Sequence, residues 1–140
     1  MIPNEKDWKN YQDDLDTNWA FKKFFGKSIS EAKKAFFDSP LERSFDLTYM
    51  AEIPFRYYMI AFRDYVQERN FPYMDCGSSY CAYVDTILVM LEDNPEHILP
   101  ILGDVLPLAE EIAEKQEEYE ISESIFGNYA SKLSEAKSKI

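Results

Sequence analysis

Between residues 54 and 69 the chain carries Phe55, Tyr58, Met59, Phe62 and Val66 at helical spacing, with Tyr57, Ile60, Ala61 and Tyr65 filling the flanks of that stripe. A helix that is apolar on several sides has to be covered on several sides, so this one is expected at the centre of a bundle. Pro54 fits the first turn, where its missing N–H costs little. The remaining chain must therefore supply the covering helices. Its 10 Phe, 10 Tyr and 2 Trp are ample for a core, because leaving most of them outside would create one large sticky patch.

Punctuation elsewhere divides the chain into further short helical segments. A polar helix is expected over 5–15, with Trp8, Tyr11 and Leu15 sharing a face, and another over 17–25 ending at Gly26. Ser28 and Glu31 read as a capping box opening a helix to Asp38, which stops before Pro40. Over 41–51 the row Leu41, Phe45, Thr48 and Tyr49 lies on a helical repeat. Ser78 or Ser79 caps a helix to about Glu92, with Tyr80, Tyr83, Val84, Ile87, Leu88 and Leu91 inward. Asn94-Pro95 starts a short helix ending near Gly103, a glutamate-rich helix follows over 105–119, and a polar last helix is expected over 129–139. Two strand candidates, 71–75 and 119–126, have no convincing partner. The expectation is an all-α fold, a single domain over 1–140 formed as one compact bundle of about six to eight helices, some of them short.

Charge is segregated. Residues 92–123 hold eleven acids against the single Lys115, which is −10 of the chain's net −11. Within it, Glu110, Glu111, Glu114, Glu117 and Glu118 form the densest acidic face. Such a face repels phosphates and anionic lipid, so neither nucleic acid nor membrane is an expected partner. It attracts a basic protein and speeds their encounter, or it simply keeps the chain soluble as a solvated helix face. No stretch reaches the length of a membrane span and the first residues lack the apolar core of a signal peptide, so the cytoplasm is the expected compartment.

Familiar chemistries find little support. His97 is the sole histidine and is expected at a helix start or on the surface; one histidine cannot build the usual zinc sites. Cys76 and Cys81 are five apart, about 140° on a helix, which suits neither a shared metal nor a redox pair. Glu42 and Asp46 lie one turn apart, but the inward Glu-x-x-His pairs of dinuclear sites are missing, as are calcium loops, phosphate loops and a nucleophile elbow. No metal, no cofactor and no catalytic residue is assigned, and a non-enzymatic role is favoured.

The most distinctive segment runs Phe45-Asp46-Leu47-Thr48-Tyr49-Met50, then Pro54-Phe55-Arg56-Tyr57-Tyr58. With Trp19, Phe25-Gly26-Lys27 and Glu31-Ala32 upstream, it resembles small bacterial all-α proteins carrying D-L-x-x-M followed by F-R-[YF]-Y. That resemblance covers about the first half of the chain; it implies a bacterial helical protein and no activity. Physically, the segment embeds Asp46, Tyr49, Glu52, Arg56 and Tyr57 among aromatics. Arg56 is placed to meet Asp46 or Glu52 across the Pro54 break, either locking two helices together or lining a polar recognition patch.

The leading functional expectation is a protein-binding module, of the kind an immunity protein or antitoxin represents, inhibiting a basic partner. The alternatives are a chaperone or adaptor for a secreted protein, working through apolar grooves, and a small helical enzyme with a site around Asp46, Glu52 and Arg56.

Overall fold

The aromatic segment after Pro54 forms the axis of the molecule in a computed structural model describing all of residues 1–140. Two 3-10 turns, Glu5–Trp8 and Tyr11–Asp13, lead into α1 (Leu15–Phe24), α2 (Ile29–Asp38), α3 (Pro40–Thr48) and the long α4 (Glu52–Glu68). Then come α5 (Ser78–Asp93), the single turn α6 (Pro95–Ile98), a 3-10 turn Leu99–Ile101, α7 (Leu102–Glu114), the single turn α8 (Glu123–Phe126) and α9 (Tyr129–Ser138). The chain is all-α: seven helices of nine residues or more, and no strand. No helix is long and apolar enough to cross a membrane.

Helix α4 is covered over a broad face, while Ile53, Gln67 and Glu68 remain exposed. Phe55, Tyr58, Met59, Ala61, Phe62 and Val66 have no accessible surface. Helix α2 lies along it most extensively, and the first 3-10 turn, α3, α5, α6 and α7 also pack on it. Phe36 of α2 stacks on Phe62 at 4.5 Å and 12°, a pairing that adds ~0.5–1.5 kcal/mol beyond area burial. The Tyr58 hydroxyl lies 2.8 Å from the carbonyl oxygen of Phe24 and 2.9 Å from that of Lys27, placing its one donor against the turn that ends α1. Helix α5 is the second central element, touching α3, α4, α6, α7 and α9. Its Tyr83 hydroxyl donates to the Val105 carbonyl at 2.7 Å, pinning α7 to it.

Capping explains several boundaries. Ser28 Oγ accepts from the Glu31 N–H at 3.2 Å while Glu31 Oε1 accepts from the Ser28 N–H at 2.9 Å, the reciprocal box read from the sequence. Asn4 and Asp7 form a second such box. It closes a 3-10 turn that Lys9, at φ 52°, then terminates, so residues 5–15 are two short turns where one helix was expected. Trp8 drops into the core while Leu15 stays outside. The helix expected over 105–119 begins earlier and stops at Glu114. Beyond it the chain turns inward around Gln116, whose Oε1 accepts from the Tyr129 N–H at 2.9 Å and whose Nε2 donates to the Gly127 carbonyl at 2.7 Å. Neither strand candidate is a strand; 119–126 is a turn followed by α8.

Arg56 acts as a lock between α4 and α6. The Glu96 carbonyl has no donor four residues on, because position 100 is proline. Arg56 Nη2 donates to that carbonyl at 2.7 Å and Nε to the His97 carbonyl at 2.9 Å. Its approach to Glu52 is a looser 3.9 Å, and Asp46 pairs elsewhere. Arg56→Met keeps the apolar stem and removes the donors. It is expected to lower stability by about 2 kcal/mol, because one part-buried and one exposed carbonyl lose a charged donor; urea unfolding that shifts by under ~0.5 kcal/mol, the level of an ordinary surface change, would contradict the lock.

Candidate functional site

Helix α3 turns its apolar repeat outward. The row Leu41, Phe45 and Tyr49 faces out, with exposures of 50%, 58% and 44%, while Ser44, Asp46 and Leu47 are buried. Its inner side lies chiefly against α5, and Ser44 Oγ meets that environment by donating back to the Leu41 carbonyl at 2.7 Å. On the neighbouring α1, the row Leu15, Trp19 and Lys23 follows the same i, i+4 spacing, with Leu15 fully outside and Trp19 48% exposed. Between the two helices lies an open groove of about 400 Å³ lined by Asp16, Trp19, Glu42, Arg43, Phe45, Asp46 and Tyr49. Three large aromatic side chains and three carboxylates therefore share one surface depression.

Asp46 sits at the base of this groove and is only 5% exposed. Arg43 Nε lies 2.7 Å from its Oδ2 but off the direction of a hydrogen bond, and no other donor reaches that oxygen. Burial pushes the Asp46 carboxyl above its usual range; Arg43 and Lys23 pull it back down, and Glu42 adds to the rise. On α1, the Lys23 ammonium stands 4.4 Å above the centre of the Trp19 ring. The groove thus combines exposed aromatic faces with a sheltered carboxylate held in an ion pair with Arg43.

The residues read from the sequence as one polar-aromatic junction separate into two places. Asp46 and Tyr49 belong to the groove. Glu52 pairs with Lys9, Arg56 serves the α6 carbonyls, and Tyr57 stands edge-on to Tyr58 at 5.0 Å, half-buried. The five glutamates of the acidic segment are also divided. Glu110 pairs with Lys137 at 2.9 Å and Glu111 with Arg69 at 2.6 Å, on two different grooves flanking α7. Glu114, Glu117 and Glu118 are exposed and make no ion pair, the last two on the turn beyond α7. Arg69 is a structural node: it also donates to the hydroxyls of Tyr80 and Tyr119, whose rings stack at 4.3 Å and 3°.

His97 is at the α6 turn but less exposed than expected, its side chain 16% accessible and its pKa lowered by burial. Cys81 is buried and Cys76 exposed, the latter outside the helix in a left-handed conformation at φ 52°. No three His, Cys, Asp or Glu side chains converge in a way that could hold a metal ion. Asp16, Trp19, Glu42 and Phe45 are groove residues that the sequence reading did not assign to a site. The signal available was the i, i+4 spacing of Leu15 and Trp19 on α1 and of Leu41, Phe45 and Tyr49 on α3, which by itself leaves open which way each row faces. Compared with protein-family models, with curated proteins and with solved structures, the chain finds no match.

Asp46 gives a test with a definite sign. Because its folded pKa is raised, the unfolded chain ionises first as pH climbs past the reference value of 3.8, so the fold loses stability there and carries a constant deficit at neutral pH. Asp46→Asn is expected to be more stable than the parent at pH 7, with the advantage fading as pH falls below 3.8. Equilibrium unfolding across that range checks it; a variant less stable at pH 7 would mean that the Arg43 pairing outweighs the cost of burial.

Proposed function

We propose that this chain is a protein-binding module that holds a basic partner protein, in the manner of an immunity protein or antitoxin-like inhibitor. The observation that carries the reading is the outward row of Leu41, Phe45 and Tyr49 beside Trp19, ringed by Asp16, Glu42 and Asp46. A bundle that buries Phe and Tyr completely along α4 has the means to bury these as well. A cluster of large apolar side chains left outside a well-packed core is a contact surface in search of a partner. Tyr and Trp are among the residues that most often dominate binding energy, since each buries a large area while fixing few rotors.

The charge supports the same partner chemistry. Carboxylates border the aromatic groove, and most of the chain's net charge sits in 92–123. After internal pairing, Glu114, Glu117 and Glu118 still face solvent without a cation. Their long-range role is to attract a basic protein, accelerating encounter within a screening length of about 8 Å at physiological salt. The groove then supplies the contacts that determine residence time. Phosphate-bearing ligands are disfavoured, since the half-buried cations at the groove are already engaged: Arg43 with Asp46 and Lys23 with Trp19.

Affinity capture from the native host lysate at low ionic strength, with salt elution, tests the proposal. A stoichiometric basic protein is expected from the parent chain. Phe45→Ala/Tyr49→Ala is expected to lose it while unfolding within ~0.5 kcal/mol of the parent, as exposed side chains allow. Capture that survives this double replacement, or that selects an acidic protein, would overturn the reading.

A further inference from the structure

Helix α9 is the most loosely seated of the long helices. Seven of its ten residues are exposed, against four in each of α1 and α2, which have the same length. Only Tyr129 and Leu133 are buried, and Ala136 is half-buried. Open grooves run along both flanks, about 590 Å³ on the α5 side beside Leu88 and Leu91, and about 200 Å³ on the α7 side beside Ala113. Its outer tie, Lys137 with Glu110 at 2.9 Å, joins two half-exposed side chains and adds little in water. A segment that buries so little apolar surface opens more readily than the whole fold.

The polar contacts that hold α9 are gathered at its first residue. The Tyr129 N–H donates to Gln116 Oε1 at 2.9 Å and its hydroxyl donates to Asp85 Oδ1 at 3.1 Å. The same hydroxyl stands beside the Cys81 thiol. Burial at this contact pushes the Asp85 carboxyl and the Cys81 thiol above their ordinary ranges, and the Tyr129 hydroxyl pulls both back. An ionised Asp85 is therefore better served by water than by its one donor under α9, which works against a tight seat. The chain just before α9 is built to turn. α8 is a single turn with no buried residue, and Gly127 follows in the left-handed region at φ 75°. The cap of α9 belongs to the same segment: Asn128 Oδ1 accepts from the Ser131 N–H at 2.8 Å.

We propose that α9 is a strap that opens about Gly127 while the rest of the bundle stays folded, and that closing it seats Tyr129 over Cys81 and Asp85. In the closed state Cys81 is 7% exposed. In the open state its thiol, Asp85 and the cleft of α5 and α7 that receives Leu133 come into solvent. None of these residues belongs to the groove between α1 and α3, so the strap stands independently of the partner surface.

Alkylation of Cys81 in the full chain tests the strap, with the exposed Cys76 replaced by serine. Excess iodoacetamide is added at mildly alkaline pH without denaturant, and the rate of modification is followed by mass spectrometry. Urea unfolding of each variant gives its global stability. Leu133→Ala removes the main apolar anchor of α9, and the alkylation rate is expected to rise about tenfold or more. Tyr129→Phe, a milder change should Leu133→Ala fold poorly, is expected to raise it about fivefold through the lost hydrogen bond. Arg56→Met weakens the bundle through the distant α6 turn; it is expected to lower the urea midpoint and leave the alkylation rate within about twofold of the parent, as local opening requires. A rate that rises as much for Arg56→Met as for Leu133→Ala, or alkylation confined to urea concentrations that unfold the bundle, would overturn the strap. So would a rate that neither α9 variant changes, since the reagent would then reach Cys81 with the helix in place.

Discussion

The structure depends on covering one helix. Helix α4 buries a broad face of aromatic and aliphatic side chains, with Arg56, Arg63, Asp64 and Gln67 on its remaining side, and the removal of that face from water organises the fold. α2 takes the longest contact with it, and Trp8 and Tyr58 close its neighbour α1 against it through ring contacts and through the hydroxyl that reaches the Phe24 and Lys27 carbonyls. Arg56 secures the α6 turn to α4 by supplying donors that Pro100 lacks. With α4 enclosed, α3 lies mainly over α5, and its apolar row is left on the outside. The exposed surface is therefore a consequence of how the core closes, not of too little apolar material.

Most of the fold was legible in the sequence because it is written in local chemistry. The central position of 54–69 followed from apolar residues on several helix sides. The start of α2 followed from Ser28 and Glu31, and a helix opening near Ser78 was legible too, but neither Ser78 nor Ser79 caps it: the cap position is Gly77, and Asp75 accepts from the Ser79 N–H. What was not legible depends on contacts distant in sequence. Nothing local to 105–119 says that Gln116 will be drawn under α9 to serve Gly127 and Tyr129, ending α7 at Glu114. The row Leu41, Phe45 and Tyr49 has the spacing of a core stripe, and periodicity gives a face without saying which way it points. The opposite face carries the buried Asp46, and only the packing of α3 on α5 reveals that this is the inner one. The candidate site was consequently half visible: Asp46 and Tyr49 were singled out, whereas Trp19 and Phe45 were read only as helical aromatics with no site attached.

Electrostatics and packing oppose each other at the groove. Burial raises the pKa of Asp46, so its ionised form costs the fold stability at neutral pH, although Arg43 and Lys23 offset part of this. An asparagine would relieve that cost. A charge retained at the expense of stability beside exposed aromatics is the combination expected where a surface is shaped for contact. The acidic segment 92–123 has a different division of labour. Glu110 and Glu111 tie α7 to Lys137 and Arg69, and Glu114, Glu117 and Glu118 project charge into solvent. Part of the negative charge is thus structural and part is available for steering, which one-dimensional charge counting could not separate.

The central claim is that the α1/α3 groove, and not the acidic turn beyond α7, is where a partner sits. Hydrogen–deuterium exchange on the chain alone and in complex with its salt-eluted partner measures this most directly. Slowed exchange concentrated in Leu15–Phe24 and Pro40–Thr48 is the predicted result, with α9 unchanged. Slowed exchange confined to residues 110–123, with α1 and α3 as in the free chain, would contradict the account.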